Sequence, residues 1–426
     1  MRRYHAAWML PVTAPPIRQG WALVADGRVL ATGAGRAGDS WNSVNGLASV
    51  DAGFSREAWD AAEVVDLGSA ALLPGLVNAH THLELSWMRG RMTPARTMPD
   101  WVSSLLELRA AEGEDVVPAI VEAIAELEAA GTAVVGDVSN SLASHAPLVA
   151  SGIDAVIFHE LLGFRARDAA THLAVARARI ETLPRRGRVN VALAPHAPYS
   201  VSPALFGALA GDRGAGSCLP TTVHLAESAE EIAFLATGSG AWREILTRVD
   251  AWDEEWSPPR CGPLEYLDRL GWIDPSCLVV HGVHLTEPEL DRLAEVGATL
   301  VTCPRSNRLT GAGTPPIAGF YAAGIPVAIG TDSLASAPDL SVFAELQELR
   351  RLAPDVPART LIESATRIGA RALGVERHGS IVAGAGADLV AVSVPEGVED
   401  VEEYLVSGIP STDIRTVGAD EARAAC

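Results

Sequence analysis

The chain has 426 residues, 48% of them hydrophobic, and a formal charge of −20 at pH 7. This is long for one ordinary domain, ample for a sizeable core, and fits a large barrel with a small companion domain. The acidic balance argues against a nucleic-acid polymer as partner, since phosphate binding needs a basic surface, and no apolar run approaches a membrane span.

In chain order, MRRYHAAWMLPV opens like a signal peptide, but its apolar patch is short and bracketed by His5 and Pro11. An initial strand is expected there. WALVADGRVLATG predicts a hairpin turning at Asp26-Gly27. The Gly/Ser-rich stretch from Gly38 to Trp59 predicts an excursion, and strand character resumes at Glu63–Leu67. Residues 1–71 are thus expected to form the first part of a small β domain.

At Leu72 the rhythm changes, and short β-rich runs alternate with amphipathic helical stretches. The expected strands are Leu76–His80, Ala133–Val138, Ala155–Leu161, Val189–Ala194, Thr222–Leu225, Leu278–His281, Thr299–Thr302 and Val327–Gly330. Intervening helices are expected at Val116–Ala129, Asp168–Leu183, Glu287–Val296, Leu340–Leu352 and Leu361–Leu373. Eight such units predict an α/β fold, a (β/α)8 TIM-type barrel over residues 72–374, with active-site groups at the C-terminal ends of its strands. GSIVAGAGADLVAV turns β again, so residues 375–426 are expected to complete a small β-sandwich domain built from both termini.

The polar signals fall at those strand ends. The first strand ends in His80-Thr81-His82. Residues two apart share a face, so the two imidazoles converge as half of a tetrahedral metal site; alone, the pair reads equally well as core or solvated histidines. TTVHLAES places His224 at the end of the fifth strand, with Glu227 three residues on. LVVHGVHL ends the sixth in His281, PVAIGTDS gives Asp332 after the eighth, and VALAPHAPYS delivers His196 after the fourth. Each has a bland reading as a core histidine or a turn aspartate, but the coincidence at matching ends of separate strands favours a constellation.

Two absences narrow the chemistry. All 33 basic residues are Arg, so Schiff-base chemistry, a P-loop lysine and a carbamoylated-lysine metal bridge are excluded. The five cysteines (Cys218, Cys261, Cys277, Cys303 and Cys426) are odd in number and show no CxxC spacing, as expected of free thiols in a reducing, cytoplasmic setting.

PGLVNAHTH, HLAE, VVHGVHL, TCPRSN and GTDS together resemble the metal-dependent amidohydrolase superfamily. They are most similar to its branch of guanine deaminase, S-adenosylhomocysteine deaminase and triazine hydrolases. NAHTHLELS, with Glu84 after the histidine pair, resembles aminodeoxyfutalosine deaminases of menaquinone synthesis. The resemblance implies that His80, His82, His224 and Asp332 hold one divalent ion, zinc or alternatively iron, with a position left for water. The ion would lower the pKa of that water from about 16 to near 7. Asp332 would accept the water's proton, His281 would orient the attacking oxygen, and Glu227 would shuttle a proton to a ring nitrogen. For Glu227 the alternative is a helix-start carboxylate favoured by the dipole.

His196, Glu84 and Arg89 are the candidate substrate-binding residues, with His196 alternatively a core group. Trp87, Arg89, Arg91, Arg96 and Trp101 lie on the segment after the first strand, where Arg could grip a carboxylate; surface ion pairs, and Trp101 as a helix anchor, are the alternatives. Asn307 in CPRSN is an orienting candidate. The implied activity is hydrolytic deamination of an amino-substituted N-heterocycle, most simply a 6-aminopurine nucleoside derivative. The alternatives are a guanine- or triazine-type hydrolase and, in another class, a non-catalytic metal- or ligand-binding barrel. A small molecule is the expected partner, and a homodimer is implied by the family.

Overall fold

The structure is a computed structural model and describes residues 1–41, 47–51, 54–111, 115–165, 168–184, 187–214 and 219–418. Cys218, Cys426 and parts of the 38–59 excursion and of the C-terminal 375–426 segment lie outside the described residues.

Six strands precede the change of rhythm: β1 (Arg2–Met9), β2 (Ile17–Ala25), β3 (Arg28–Ala34), β4 (Leu47–Val50), β5 (Glu63–Asp66) and β6 (Ala70–Pro74). β2 and β3 pair antiparallel up to Ala25 and Arg28. The two residues between them, Asp26 and Gly27, both have positive φ (50° and 68°), the mirror-image turn that matches strand twist. The excursion contains more order than its composition suggested: besides β4 it carries the helix Arg56–Ala61, started by Ser55, whose hydroxyl accepts from the Ala58 amide.

Next come β7 (Leu76–Thr81), β8 (Thr132–Ser139), β9 (Asp154–Leu161), β10 (Val189–Pro195), β11 (Thr221–Leu225), β12 (Cys277–His281), β13 (Thr299–Thr302) and β14 (Val327–Ile329). Each lies within one residue of the expected bounds. They form two four-stranded sheets, β10-β9-β8-β7 and β11-β12-β13-β14, with neighbouring strands parallel throughout. Backbone bonds also cross both gaps between the sheets. The His224 amide donates to the His196 carbonyl at 2.9 Å, and the Thr331 and Asp332 amides both donate to the His80 carbonyl at 3.1 Å. Alternate residues of the two sheets, among them Val77, Val134, Phe158, Ala194, Val280, Val301 and Ala328, meet in one buried apolar cluster. Such nearly uninterrupted apolar runs are what strands covered on both faces require.

The chain ends with β15 (Leu389–Ser393) and β16 (Ile414–Val417). β15 pairs with β6, and the terminal strands join in the order β16-β15-β6-β1-β2-β3-β4, with β5 beside β1. Strands from both ends of the chain are therefore hydrogen-bonded into one connected sheet. Period-two alternation gives that sheet apolar clusters on both faces, Ala22 and Val24 in one, Trp21 and Leu23 in the other. The expected helix Leu361–Leu373 is divided into Ala358–Glu363, a π turn at Ser364–Ile368, and Gly369–Ala372. Among the described residues no helix is long and apolar enough to cross a membrane.

Candidate metal centre and active-site cavity

β7 runs into the site because nothing obstructs it: a Cβ on Gly330, at the end of β14, would lie 2.7 Å from His80 Cβ. The close approach lets the two strand ends be stitched. Asn78 Nδ2 donates to Thr331 Oγ1 at 2.7 Å, and Thr81 Oγ1 donates to the Asp332 carbonyl at 2.7 Å. His80 and His82 thereby face Asp332, whose Oδ1 lies 3.9 Å and 3.6 Å from their Nε2 atoms. The other oxygen, Oδ2, accepts from Ser306 Oγ at 2.5 Å and Ser336 Oγ at 3.0 Å, which leaves Oδ1 to face the histidines.

His224 completes the group from β11. Its Nδ1–H donates to the His196 carbonyl at 3.0 Å, so Nε2 carries no proton and points at His82 Nε2, 3.3 Å away. One ligand atom each from His80, His82 and His224 lie within 4.8 Å of one another. Burial first, and then the neighbouring imidazoles, holds these rings neutral, with Asp332 opposing at His82 and His224: His80 is pushed well below its ordinary range, His82 down to about 3, and His224 downward. Neither ring nitrogen of buried His80 has a hydrogen-bond partner. Unprotonated, unpartnered nitrogens converging beside a carboxylate are the donor set a divalent cation requires, so the residues fit the expected ion.

Two further groups face the same space. Glu227 follows Ala226, whose φ of 50° turns the chain back after β11. Glu231 secures that turn, its carboxylate accepting from the Ala226 and Glu227 amides at 3.0 Å each. Burial, then the nearby Asp332 and Glu231 carboxylates, pushes Glu227 well above the usual carboxylate range. His281 Nε2 lies 3.5 Å from Glu227 Oε1. Its Nδ1 is 2.9 Å from the Asn307 side-chain nitrogen; donation from that amide fixes the ring proton on Nε2.

These groups open into a cavity of about 790 Å3, its solvent-open mouth included, lined by His82, His196, His224, Glu227, His281 and Asp332. Its apolar wall comes from helix α1 (Met98–Ala111), which presents Met98, Trp101, Val102, Leu105, Leu106 and Arg109 at helical spacing. Tyr199 and Trp242, stacked with ring centroids 3.8 Å apart, supply another wall. His196 is fixed by Ser200 Oγ, 2.6 Å from its Nδ1.

Two of the expected substrate residues are elsewhere. Glu84 is buried behind the loop after β8, where it accepts from Ser139, the Ser141 hydroxyl and the Asn140, Ser141 and Ala143 amides; its lone pairs are spent on that loop. Arg89 turns outward to Glu126, because the 3-10 turn after β7 points it away. Arg91 stacks on Trp87, and Arg91 and Arg96 are exposed; neither lines the cavity. Trp101 does line it. Arg109, Asn140 and Glu160 are cavity residues that the sequence reading missed; the apolar stripe ending in Arg109 was the available signal. Glu160, His196 and His224 also form a second grouping within 4.8 Å, sharing His224.

The amidohydrolase family model matches residues 71–417. The 5-methylthioadenosine/S-adenosylhomocysteine deaminase of Nitratidesulfovibrio vulgaris strain DP4 is 31% identical over 351 residues, 79% of this chain and 74% of that protein. The aminodeoxyfutalosine deaminase of Deinococcus radiodurans is 33% identical over 316 residues, 72% of this chain and 74% of that protein. Among solved structures, an adenosine deaminase from Xanthomonas campestris with bound zinc superposes with a TM-score of 0.77 at 26% identity, covering 97% of this chain and 90% of that one.

Proposed function

We propose that this chain, which belongs to the amidohydrolase family, hydrolytically deaminates an aminopurine nucleoside derivative, using one divalent ion held by His80, His82, His224 and Asp332. The observation that carries the reading is the placement of buried Glu227 beside His281, in the cavity that also receives the histidine cluster and Asp332. The similarity to deaminases of this substrate class supports it.

When bound, such an ion supplies a water acidified to near neutral pKa, from about 16 to about 7. The residues do the rest. Asp332 takes a proton from the incoming water at Oδ1, while Ser306 and Ser336 hold Oδ2. Glu227 delivers a proton to the ring nitrogen beside the amino-bearing carbon, and the Nε2–H of His281 donates to the oxygen arriving at that carbon. Asp332 then returns its proton to the amino group, the C–N bond breaks and ammonia leaves, while the hydroxyl proton of the new C–O group passes to the Glu227 carboxylate, giving the carbonyl product and restoring both acids. The α1 stripe and the Tyr199–Trp242 pair exclude bulk water and flank a flat ring.

We further propose that the eight parallel strands act as one closed (β/α)8 barrel over residues 72–374, flanked by residues 1–71 and 375–426 as a small β domain. The bonds at both gaps support this. A cytoplasmic homodimer completes the reading, supported for location by the free thiols Cys261, Cys277 and Cys303.

Elemental analysis of purified protein should give one metal per chain, zinc being the expected ion. Ammonia release should follow from at least one of adenosine, 5′-methylthioadenosine, S-adenosylhomocysteine or a 5′-carboxylated adenosine. Release from guanine or a triazine alone would select the other branches of the superfamily, and a loaded protein inactive on the whole panel would sink the deaminase reading.

A further inference from the structure

In the sheet β11-β12-β13-β14, His281 ends β12 and Asp332 follows β14, so β13 runs between the two strands that carry them. β13 itself sends nothing to the site: among the described residues, none of 299–307 lines the cavity. The helix that follows it, Pro304–Thr310, instead reaches both neighbours with consecutive residues. Ser306 Oγ donates to Asp332 Oδ2 at 2.5 Å, and the Asn307 side-chain nitrogen donates to His281 Nδ1 at 2.9 Å. Both residues are fully buried. The Asn307 amide oxygen is buried with no partner, a cost the side chain bears while holding that one bond, and an unsatisfied buried group calls for such a reason.

Where those two donors sit is decided by the residue before them. Arg305 is 8% exposed. Its Nη1 and Nη2 both donate to Asp339 Oδ1 at 2.9 Å, Nη2 also reaches the Asp339 carbonyl at 3.3 Å, and Nε lies 3.4 Å from Oε1 of fully buried Glu345. Asp339 and Glu345 flank Ser341, the N-cap of the helix Val342–Leu352. The guanidinium thus ties one helix to the start of the next with a planar fork that an ammonium does not replicate. The far end of Pro304–Thr310 is held as well. Gly311 closes it in the left-handed region at φ 79°, where a Cβ would lie 2.7 Å from the Thr97 amide nitrogen, and the Ala95 amide donates to the Leu309 carbonyl at 3.0 Å. A two-turn helix fixed at both ends leaves Ser306 and Asn307 little freedom.

We propose that Arg305 is a positioning residue of the reaction: through its clamp on Asp339 and Glu345 it aims Ser306 at Asp332 and Asn307 at His281 together. One rigid piece of backbone then aligns the proton acceptor and the oxygen-directing donor as a pair. Ser306 keeps Asp332 Oδ1 turned to the incoming water, and Asn307 keeps the Nε2–H of His281 turned to the same oxygen. Loss of the clamp lets both drift. That lowers the rate of the chemical step and spares substrate binding, because Arg305, Asp339 and Glu345 do not line the cavity. This deepens the deaminase reading and rests on it.

The test is steady-state ammonia release from a 6-aminopurine nucleoside by metal-loaded enzyme, with metal content measured on the same samples. Arg305→Gln should keep its metal and lower kcat by about 10–100-fold, since a misplacement of about 1 Å can cost about 10²-fold. Its KM should stay within about twofold of wild type, as when an interaction is felt only in the transition state. Arg305→Lys, which keeps charge but loses the fork, should fall between. Ser306→Ala and Asn307→Ala should each lower kcat. In the variant lacking both, adding Arg305→Gln should cost about twofold or less further, because residues that act as a unit are non-additive. Arg308→Gln, which removes an exposed ion pair to Glu348 between the same two helices, should leave kcat unchanged. Should Arg305→Gln not fold with Glu345 left unpaired, Asp339→Ala opens the clamp at its half-exposed partner and should lower kcat by about three- to tenfold. The proposal is overturned by a kcat within about twofold of wild type in Arg305→Gln, or in both Arg305→Lys and Asp339→Ala where the Gln variant does not fold. A loss carried by KM or by missing metal, or a full multiplicative loss in the double variant, would overturn it equally. Wild type separates the two readings: with release present and the clamp variants unaffected, only the positioning role falls, and with no release from any such nucleoside, the deaminase reading falls and takes it along.

Discussion

Ala226, His281 and Asp332 each hold a backbone conformation that side-chain-bearing residues rarely adopt, with φ of 50°, 74° and 58°. All three lie where a strand turns into the cavity, and such strain persists only when surrounding bonds over-determine it. Here the bonds are visible: Glu231 on the Ala226–Glu227 turn, Asn307 on His281, Ser306 and Thr81 on Asp332. Two residue-level outcomes follow. Glu227→Gln should retain metal and fold yet lose about 10²–10⁴-fold in kcat, the usual worth of a positioned proton carrier; near-normal turnover would remove Glu227 from the mechanism. His281→Asn should also lower kcat with metal content intact, and loss of metal there would make His281 a ligand.

At the scale of elements, two devices hold the site's framework. The short helix Pro304–Thr310, which carries Ser306 and Asn307, is moored through Arg305 to Asp339 at 2.9 Å and to buried Glu345 at 3.4 Å. Far from the cavity, Asp154 at the start of β9 is gripped by His378 at 2.8 Å and by Arg377 and Arg188. Burial alone would raise the Asp154 carboxyl, but the hydrogen bond and charge of His378, then Arg377 and Arg188, hold it well below the usual range. A depressed carboxylate contributes stability that is present above its unfolded pKa of 3.8 and is lost as pH falls through its native value. Asp154→Asn should therefore destabilise at pH 7 by about 3–5 kcal/mol, the usual cost of breaking a buried pair, and reduce the loss of stability on acidification. Urea unfolding at pH 7 and at about pH 2, inside the window where the contribution is lost, measures both; a variant less than about 1 kcal/mol weaker would reduce the cluster to a surface ion pair.

For the whole molecule, the ion should also act as a structural tie. Its four candidate ligands come from the ends of β7, β11 and β14, so binding would couple the two parallel sheets. An ion that binds only the native state at about 100 times its dissociation constant stabilises by about 2.7 kcal/mol. Chelation should thus lower the thermal midpoint measurably, and zinc should restore it. An unchanged midpoint after complete metal removal would mean that side chains alone hold the sheets.

Much of this was legible in the chain. The eight parallel strands were readable because strands covered on both faces must be continuous apolar runs, and a polar residue such as His224, His281 or Asp332 at the end of one is conspicuous. The histidine pair was readable because period two puts His80 and His82 on one face. Glu84 and Arg89 misled because linear proximity to that pair says nothing about direction: a tight 3-10 turn sends Glu84 behind the β8 loop and Arg89 to the surface. Arg109 and Glu160 were illegible as a pair because they are 51 positions apart and come together only as linings of one cavity. Local pattern determined the strands and the polar groups at their ends, since periodicity and burial act along the chain. Which groups converge, which spend their lone pairs elsewhere, and which remain free for a ligand was decided by the tertiary packing, because hydrogen-bond partners and charge neighbours exist only once distant segments meet.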